Sequence, residues 1–249
     1  MIDSNYRSHL EQERAEYDQR YAHADIHTLP DFKVDPREQF LWEHYVGSLS
    51  EKHVLEVGSG DGRMACWLAS KGAIVTAVDI SEVGILMTQK RALFLHLENL
   101  VSAYCLDACQ LETVIPINSI DLALGFSVLH HLPASELGHS LRAVLKVGGR
   151  AVFFENSNAN PIYRIARWIR NNETTCGAPL MAKDASALVN EIGTGELINP
   201  RFGFFGLTKK YIFQKSNLYS SMVEFMDDEI DKIPGTRRWS AHMWVVARK

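Results

Sequence analysis

Apolar residues along the chain are grouped into short runs that are separated by segments with helical spacing. Five of the runs predict β-strands, at residues 53–58, 73–80, 100–108, 119–126 and 149–156. Segments with helical spacing lie between or after several of these runs, at residues 61–72, 81–97 and 135–145. Strands that alternate with helices in this way predict a parallel sheet with helices on both faces.

The segments on either side of this alternation have a different character. Before it, helices are predicted over residues 5–23 and 37–49. After it, helices are predicted over 160–172 and 216–233, and residues 173–200 have a mixed pattern. Two further strands are expected to form an antiparallel pair, at residues 201–207 and 240–249.

Composition narrows the possible functions only a little. The 249 residues include 26 Lys and Arg against 30 Asp and Glu, a net charge of −4, so no general attraction to nucleic acid or to an anionic membrane is expected. No apolar run is long enough to span a bilayer, and the polar N-terminus does not resemble a secretory signal. The cysteines are Cys66, Cys105, Cys109 and Cys176. Because they form no CxxC pair, we expect reduced core thiols in a cytoplasmic protein.

A glycine-rich loop follows the first predicted strand, in the stretch VLEVGSGDGR. Its glycines are Gly58, Gly60 and Gly62. A dinucleotide loop, GxGxxG, would need glycine where Arg63 stands, and a phosphate loop would need a following Gly-Lys-Ser/Thr. Glu56, at the end of the strand, disfavours a nearby phosphate and favours a cationic or hydroxyl partner. The loop therefore predicts a nucleotide-like ligand that approaches the backbone closely and need not carry phosphate.

The stretch LEVGSGDG resembles the first motif of the class I S-adenosylmethionine-dependent methyltransferases, an acidic residue followed by GxGxG. Stretches similar to the later motifs follow in order, among them IDLALGFSVLHHL and LRAVLKVGGRAVFFEN. In the latter, Val147 stands where the family often has proline. The resemblance covers residues 53–156 firmly and extends more loosely toward the C-terminus. It implies S-adenosyl-L-methionine as the cofactor.

The resemblance also implies where the cofactor is held. It implies that Asp79, followed by Ile80, binds both ribose hydroxyls at the end of the second strand. Asp107 and Ala108 are implied to contact the adenine, and Phe126 to lie beside the methionine part. The first motif contributes Glu56, Gly58, Gly60 and Gly62.

The N-terminal helix is expected to close over the cofactor, as in related methyltransferases that have an aromatic residue near a Tyr-Asp pair. Tyr17 and Tyr21 lie one helical turn apart, and Tyr17 is expected to cover the cofactor. Arg14 or Arg20 is expected to meet the cofactor carboxylate, with Arg20 taken as the site residue. The alternative is a surface helix whose tyrosines pack on the core.

Two residues just beyond the fourth strand and one at the end of the fifth are candidates for the chemistry: His130, His131 and Glu155. Methyl transfer needs a proton acceptor only when the nucleophile is protonated, and histidine suits that task. The alternative for each histidine is a role in packing or orienting the loop, with His131 as the structural member. Glu155 is expected either to hold a substrate hydroxyl or amine or to bond the loop.

The acceptor pocket is expected to come from the C-terminal region. Aromatic candidates for its lining are Trp168, Phe202, Phe204, Phe205, Tyr211, Phe213 and Tyr219. Arginines that recur every third residue are candidates for binding an acidic group, or for a solvated helix face: Arg164, Arg167 and Arg170.

The predicted fold is an α/β, Rossmann-like three-layer sandwich with a mostly parallel seven-stranded sheet, an antiparallel closing strand and a small cap. One domain over 1–249 is expected. Its parts are a helical lid at 1–50, the cofactor-binding core at 51–156, and the cap-like insert with the closing strands at 157–249.

The predicted function is methyl transfer to an oxygen or nitrogen of a small molecule, which is the expected partner. A nucleic-acid methyltransferase is an alternative, although GFSV stands where base-amino methyltransferases have Asn/Asp-Pro-Pro-aromatic. A second alternative is an S-adenosylmethionine-binding protein without catalysis. A dehydrogenase is disfavoured by Arg63 and by the single nucleotide-binding half. Neither a metal site nor a nucleic-acid or membrane partner is expected, and a homo-oligomer is left open.

Overall fold

The structure is a computed structural model that describes residues 4–36, 38–160, 180–200 and 217–249. Within these ranges the strands are His53–Val57 (β1), Ile74–Asp79 (β2), Val101–Cys105 (β3), Ile120–Phe126 (β4), Leu145–Asn156 (β5), Thr194–Ile198 (β6) and His242–Arg248 (β7). The α-helices are Ser4–Tyr21 (α1), Gln39–Tyr45 (α2), Arg63–Ser70 (α3), Glu82–Phe94 (α4), Ala134–Val144 (α5), Ala182–Ile192 (α6) and Asn217–Asp231 (α7). Short 3₁₀ helices are Ala108–Thr113, Leu129–His131 and Thr236–Trp239.

The described strands form one sheet in the order β3-β2-β1-β4-β5-β7-β6. Strands β1 to β5 are parallel, whereas β7 runs antiparallel to both β5 and β6. The predicted seven-stranded, Rossmann-like α/β fold with an antiparallel closing strand is confirmed. Because both faces of the central strands are covered, Val54 and Leu55 are fully buried although they point to opposite faces. The Ser81 cap is present as well, since its hydroxyl accepts the Gly84 N–H.

The partner of the closing strand differs from the sequence prediction. Strand β7 pairs with Thr194–Ile198, which lies in the segment of mixed pattern. This strand is at the edge of the sheet, and Thr194, Gly195 and Glu196 are exposed, so it lacks the apolar run of a covered strand. The stretch at 201–207, which was expected to form this strand, lies outside the described residues.

Helix α6 is a second element that the mixed pattern concealed. It buries Ala185, Leu188, Val189 and Ile192 and packs against α5, where Gly138 leaves room for the Glu191 side chain. Part of the region assigned to a cap thus completes the helical layer on one face of the sheet. The aromatic residues and arginines proposed for an acceptor pocket lie outside the described residues or, for Tyr219, outside the described side chains.

Three of the four cysteines lie in described residues, and all three are free thiols. Cys66 is fully buried, and burial raises its pKa to about 12. Cys105 is exposed, so the expectation of a core thiol is wrong for that residue. Among the described helices, none has both the length and the apolar character required to cross a bilayer.

A fully buried arginine connects the glycine loop to the segment after α1. Arg91, on α4, donates to the backbone carbonyls of Asp25, Thr28 and Asp61 and pairs with the Asp61 carboxylate at 3.2 Å. Because these contacts satisfy the guanidinium, a charged side chain can be buried here at low cost. Arg91 therefore holds the loop that follows β1 against the segment that leads away from α1.

Replacing this arginine is expected to destabilise the fold. Arg91→Met would leave the buried Asp61 carboxylate and three carbonyls without their donor, so we expect the free energy of unfolding to fall by about 3 kcal/mol. Urea unfolding measures this change. Arg63→Met is the matched control, because Arg63 pairs with the same carboxylate at 3.0 Å but is largely exposed. An equal loss in both variants would contradict the role given to Arg91.

Candidate active site

A cavity of about 220 Å³ lies at the carboxyl ends of the central strands, where open α/β sheets bind their ligands. Its lower wall comes from the strand ends and the loops that follow them: Val57, Gly58, Val78, Asp79, Ile80, Leu106 and Ala108. Its upper wall comes from α1: Leu10, Glu13, Tyr17, Arg20 and Tyr21. Its third side comes from the end of β4 and the segment beyond it: Phe126, Ser127, Val128, His131 and Leu132.

The structure brings eight of the predicted site residues together around this cavity: Tyr17, Arg20, Gly58, Asp79, Ile80, Ala108, Phe126 and His131. Six others do not line it: Glu56, Gly60, Gly62, Asp107, His130 and Glu155. Seven of the eleven predicted cofactor residues therefore meet at one cavity, and the other four lie outside its lining: Glu56, Gly60, Gly62 and Asp107.

Asp79 stands at the end of β2 and is held by the backbone. Its carboxylate accepts the Gly60 N–H at 2.7 Å and the Ser81 N–H at 2.9 Å. Burial raises its pKa, although the hydrogen bonds from the Ser81, Gly60 and Ile80 backbone oppose that change. A carboxylate offers about four acceptor positions, so it retains capacity for further donors in the cavity.

The loop glycines make room for neighbouring side chains rather than only for a ligand. All three have positive φ, and a Cβ on any of them would lie under 3.0 Å from another residue. These neighbours are Val128 for Gly58, the Tyr21 hydroxyl for Gly60 and Thr88 for Gly62. Tyr21 thus rests directly on the loop, and Gly62 allows α3 to begin close to α4.

Glu56 lies behind the loop and is completely enclosed. Its Oε2 and the Ser59 hydroxyl are buried without a hydrogen-bond partner among the described residues. Burial, with Asp79 and Asp61 nearby, raises the pKa of Glu56 well above its ordinary value. The hydrogen bond from the Ala65 backbone N–H opposes this increase. Two orphaned polar atoms beside the cavity loop fit a site where a bound molecule or ordered water supplies the missing partners.

The raised pKa of Glu56 leads to a pH-dependent prediction. The folded chain binds the Glu56 proton more tightly than the unfolded chain does. The free energy of unfolding therefore falls as pH rises from the ordinary glutamate pKa of the unfolded chain to the raised pKa of the folded chain. Glu56→Gln is isosteric and cannot ionise. We therefore expect it to match wild type in acid and to be more stable by about 1 kcal/mol or more at neutral pH.

Urea unfolding across that pH range measures the difference between Glu56→Gln and wild type. Glu98→Gln, in the exposed segment after α4, is the control and should show no such pH trend. A constant difference between Glu56→Gln and wild type at every pH would contradict the prediction.

Asp107 is engaged beside the cavity rather than within its lining. Its Oδ1 accepts the Cys109 N–H at 2.9 Å, which caps a 3₁₀ helix, and the Tyr6 hydroxyl of α1 at 3.2 Å. The neighbouring Leu106 and Ala108 line the cavity instead. The acidic side chain therefore joins α1 to the end of β3 in this structure.

The two histidines have different surroundings. His131 lines the cavity, and its Nδ1 lies 2.5 Å from Glu13 Oε1 while its Nε2 lies 3.3 Å from the Tyr17 hydroxyl. His130 lies outside the lining, and its Nδ1 is 2.9 Å from Glu155 Oε2. This placement favours His131 for contact with a ligand, the reverse of the expectation that it is the structural member.

Glu155 is a fully enclosed loop-bonding carboxylate. Besides His130, it accepts the backbone N–H groups of Val128 at 2.7 Å and Leu129 at 2.8 Å. These contacts match the alternative in which Glu155 holds the loop after β4, and they fix the segment that carries both histidines.

Glu13 and Asp18 of α1 were not identified from the sequence. Glu13 is the buried residue among the described side chains of that helix. Asp18 accepts the Ser81 hydroxyl at 2.5 Å and the Val83 N–H at 3.1 Å, at the start of α4. The available signal was spacing, because Glu13 lies one helical turn before Tyr17 and Asp18 follows it. No group of three or more His, Cys, Asp or Glu suited to a metal ion occurs in the part of the chain that the structure describes.

The central part of the chain is similar to known methyltransferases. Residues 55–153 match the family model of a methyltransferase domain. The ubiquinone biosynthesis O-methyltransferase of Nitrosomonas europaea is 29% identical over 133 residues, which are 53% of this chain and 55% of the relative. The chain thus matches little more than half the length of this curated relative.

Two solved structures share the fold. The geranyl diphosphate C-methyltransferase of Streptomyces coelicolor A3(2), solved with Mg²⁺, geranyl diphosphate and S-adenosyl-L-homocysteine, has a TM-score of 0.62 at 12% identity, covering 96% of this chain and 97% of that chain. The phosphoethanolamine N-methyltransferase 2 of Haemonchus contortus, solved with S-adenosyl-L-methionine, has a TM-score of 0.63 at 16% identity, covering 100% and 60%. At these identities the likeness concerns the fold alone.

Proposed function

Residues 55–153 match a methyltransferase domain, and on that premise we propose that the chain is a class I S-adenosylmethionine-dependent methyltransferase that methylates an oxygen or nitrogen of a small-molecule acceptor. The observation that carries the proposal is the cavity between α1 and the strand ends. It has Asp79 on one side and His131, with its own carboxylate partner, on another. A diol-binding acid and a proton acceptor thus face the same space.

The residues present fit S-adenosylmethionine. Asp79 would accept the ribose hydroxyls, with Ile80 and Ala108 flanking the adenine. Arg20 is exposed, and its guanidinium carbon lies 5.8 Å from the Tyr17 ring centroid. It would meet the carboxylate of the methionine part, and Tyr17 would cover that part. Glu56 Oε2, at the end of β1, and the Ser59 hydroxyl, in the glycine loop, are two buried polar atoms that lack a hydrogen-bond partner among the described residues.

Bound S-adenosylmethionine supplies an electrophilic methyl carbon, whose bond to sulfur breaks as the bond to the acceptor forms. The chain has to align the acceptor, exclude water and remove a proton. His131 lines the cavity, and its Nε2 would take that proton directly or through the Tyr17 hydroxyl, which lies 3.3 Å away. Helix α1 covers the cavity and limits the access of water.

An acceptor that loses a proton is favoured by this arrangement. A hydroxyl attacks well only as it loses its proton, so a histidine beside the cavity would speed the reaction by accepting that proton. The relative named for O-methylation is consistent with an oxygen acceptor, whereas the similar structures carry names for C- and N-methylation. We therefore place phenols and alcohols first and amines second.

The experiment is an acceptor screen with S-adenosylmethionine labelled in its methyl group. We expect label to pass to a phenol, alcohol or amine and S-adenosylhomocysteine to form in equal amount. Label in DNA or RNA would support the nucleic-acid alternative. Cofactor binding without transfer to any class would support a non-catalytic binding protein, and failure to bind the cofactor would overturn the proposal as a whole.

A further inference from the structure

We propose that Glu13, on helix α1, is the positioning residue for His131, so that the proton acceptor is correctly oriented only when α1 is seated on the core. The inference rests on the proposed function for its chemistry. Its structural basis is one contact, between Glu13 Oε1 and His131 Nδ1 at 2.5 Å, which joins two separate parts of the chain.

Glu13 is unusual for the helix that carries it. Most described side chains of α1 are exposed or half-buried, yet Glu13 is 4% exposed. A buried carboxylate costs free energy unless it is paired and hydrogen-bonded. The His131 side chain, 9% exposed, supplies that partner. A glutamate confined to this position is therefore best explained by what it does to the histidine.

The contact determines which nitrogen of His131 faces the ligand. When a carboxylate accepts the proton of Nδ1, the other nitrogen, Nε2, is left with its lone pair available. Nε2 is the atom that lies 3.3 Å from the Tyr17 hydroxyl, and both Tyr17 and His131 line the cavity. Without the carboxylate, the neutral ring would be free to place its proton on either nitrogen, and only one of the two forms can accept a proton at the cavity.

The neighbouring groups do not provide an equivalent partner. His130, whose ring centroid is 4.0 Å from that of His131, has its own acid in Glu155. His9 lies 3.2 Å from the same Glu13 oxygen, but its side chain is 46% exposed. Glu155, on β5 in the core, thus orients His130, whereas Glu13, on α1, orients His131.

The proposed step moves one methyl group to the acceptor and one proton to His131. The acceptor hydroxyl attacks the methyl carbon, the electron pair of the breaking bond goes to sulfur, and the hydroxyl proton goes to His131 Nε2. Glu13 stays ionised and stabilises the resulting imidazolium through Nδ1–H, as carboxylates do behind other catalytic histidines. Glu13 lines the cavity as well, but in this scheme it acts through His131.

The first test does not depend on turnover. Nitrogen-15 correlation spectra of the histidine rings are recorded on the S-adenosylhomocysteine complex, at a pH where the rings are neutral. We expect wild type to hold His131 in the single Nδ1–H form and Glu13→Gln to lose that preference. His130 should be unchanged in both, and Glu11→Gln, an exposed position on the same helix, should match wild type. Identical His131 signals in wild type and Glu13→Gln would overturn the proposal.

The second test separates positioning from a merely structural role. Catechol and 4-nitrocatechol are compared as acceptors at about pH 8, where the nitro compound is largely ionised and needs no base. We expect Glu13→Gln to slow methylation of catechol at least about tenfold, with a smaller effect on 4-nitrocatechol and an unchanged KM for S-adenosylmethionine. An equal loss with both acceptors, or a raised cofactor KM, would indicate a damaged lid and count against the inference.

The two proposals fail in different ways. If wild type transfers no methyl group to any acceptor, the proposed function fails, and the ring spectra still report whether Glu13 orients His131. If wild type is active and Glu13→Gln matches it in rate and spectra, the function stands and the positioning role is wrong.

Discussion

Asp79→Asn is expected to abolish most of the affinity for S-adenosylhomocysteine. The carboxylate would accept both ribose hydroxyls, and a hydrogen bond to a charged group contributes about 1.5–3 kcal/mol, so losing this acceptor should raise the dissociation constant about a hundredfold or more. Asparagine keeps the size of the side chain, but its amide would face the Gly60 or Ser81 N–H donors that now bind carboxylate oxygens. Isothermal titration calorimetry measures the loss.

The control has to separate ribose recognition from damage to the loop. Glu82→Gln changes a largely exposed acid three residues away and should leave affinity unchanged. A 2′-deoxy analogue of S-adenosylhomocysteine gives the sharper comparison. Wild type should prefer the natural ligand strongly, and Asp79→Asn should lose most of that preference. A variant that binds as tightly as wild type would remove Asp79 from the cofactor site.

The residues of the lower wall could be found from the sequence because they lie within local patterns. A covered parallel strand has to be an apolar run, and the residue after it has to leave the sheet at the end where ligands bind. Asp79 is the last residue of β2, Ile80 follows it, and Ala108 lies three residues after β3, so their convergence at one end of the sheet follows from the fold.

The upper wall could not be found in this way, because its contacts join distant parts of the chain. Glu13 and His131 are 118 residues apart, and nothing near either one indicates the other. From the sequence, Arg91 on α4 resembles a surface residue. In the structure it is completely buried, and it donates hydrogen bonds to backbone carbonyls of two other segments. Strand β6 was missed for the opposite reason, since an exposed edge strand does not need apolar side chains.

Helix α1 shows how far local pattern fails for this protein. It lacks an apolar face, and it is joined to the core by polar pairs: Tyr6 with Asp107, Glu13 with His131, and Asp18 with Ser81. Hydrophobic periodicity can indicate that such a helix exists but not where it docks. Under the proposed function, a lid held by hydrogen bonds rather than by a large apolar surface would open at a small cost in free energy and so admit both a cofactor and an acceptor.

His131→Gln is expected to lower the rate of methyl transfer to a hydroxyl acceptor by about a hundredfold, the usual contribution of a positioned base. Affinity for S-adenosylhomocysteine should change little, because the ring belongs to the segment after β4, whereas the residues expected to hold the ribose and adenine follow β2 and β3. Single-turnover transfer from labelled S-adenosylmethionine measures the chemical step apart from product release.

His130→Gln is the matched variant, since it changes the adjacent histidine and breaks the same kind of carboxylate pair. His130 does not line the cavity, and Glu155 keeps its two backbone donors without it, so we expect near-normal transfer and a modest loss of stability. A large loss of rate in His130→Gln with normal transfer in His131→Gln would reverse the assignment. Equal losses of rate in both variants would mean that the His130–Glu155 and His131–Glu13 pairs together fix the conformation of the loop after β4. In that case each histidine would affect the rate by changing the position of the other.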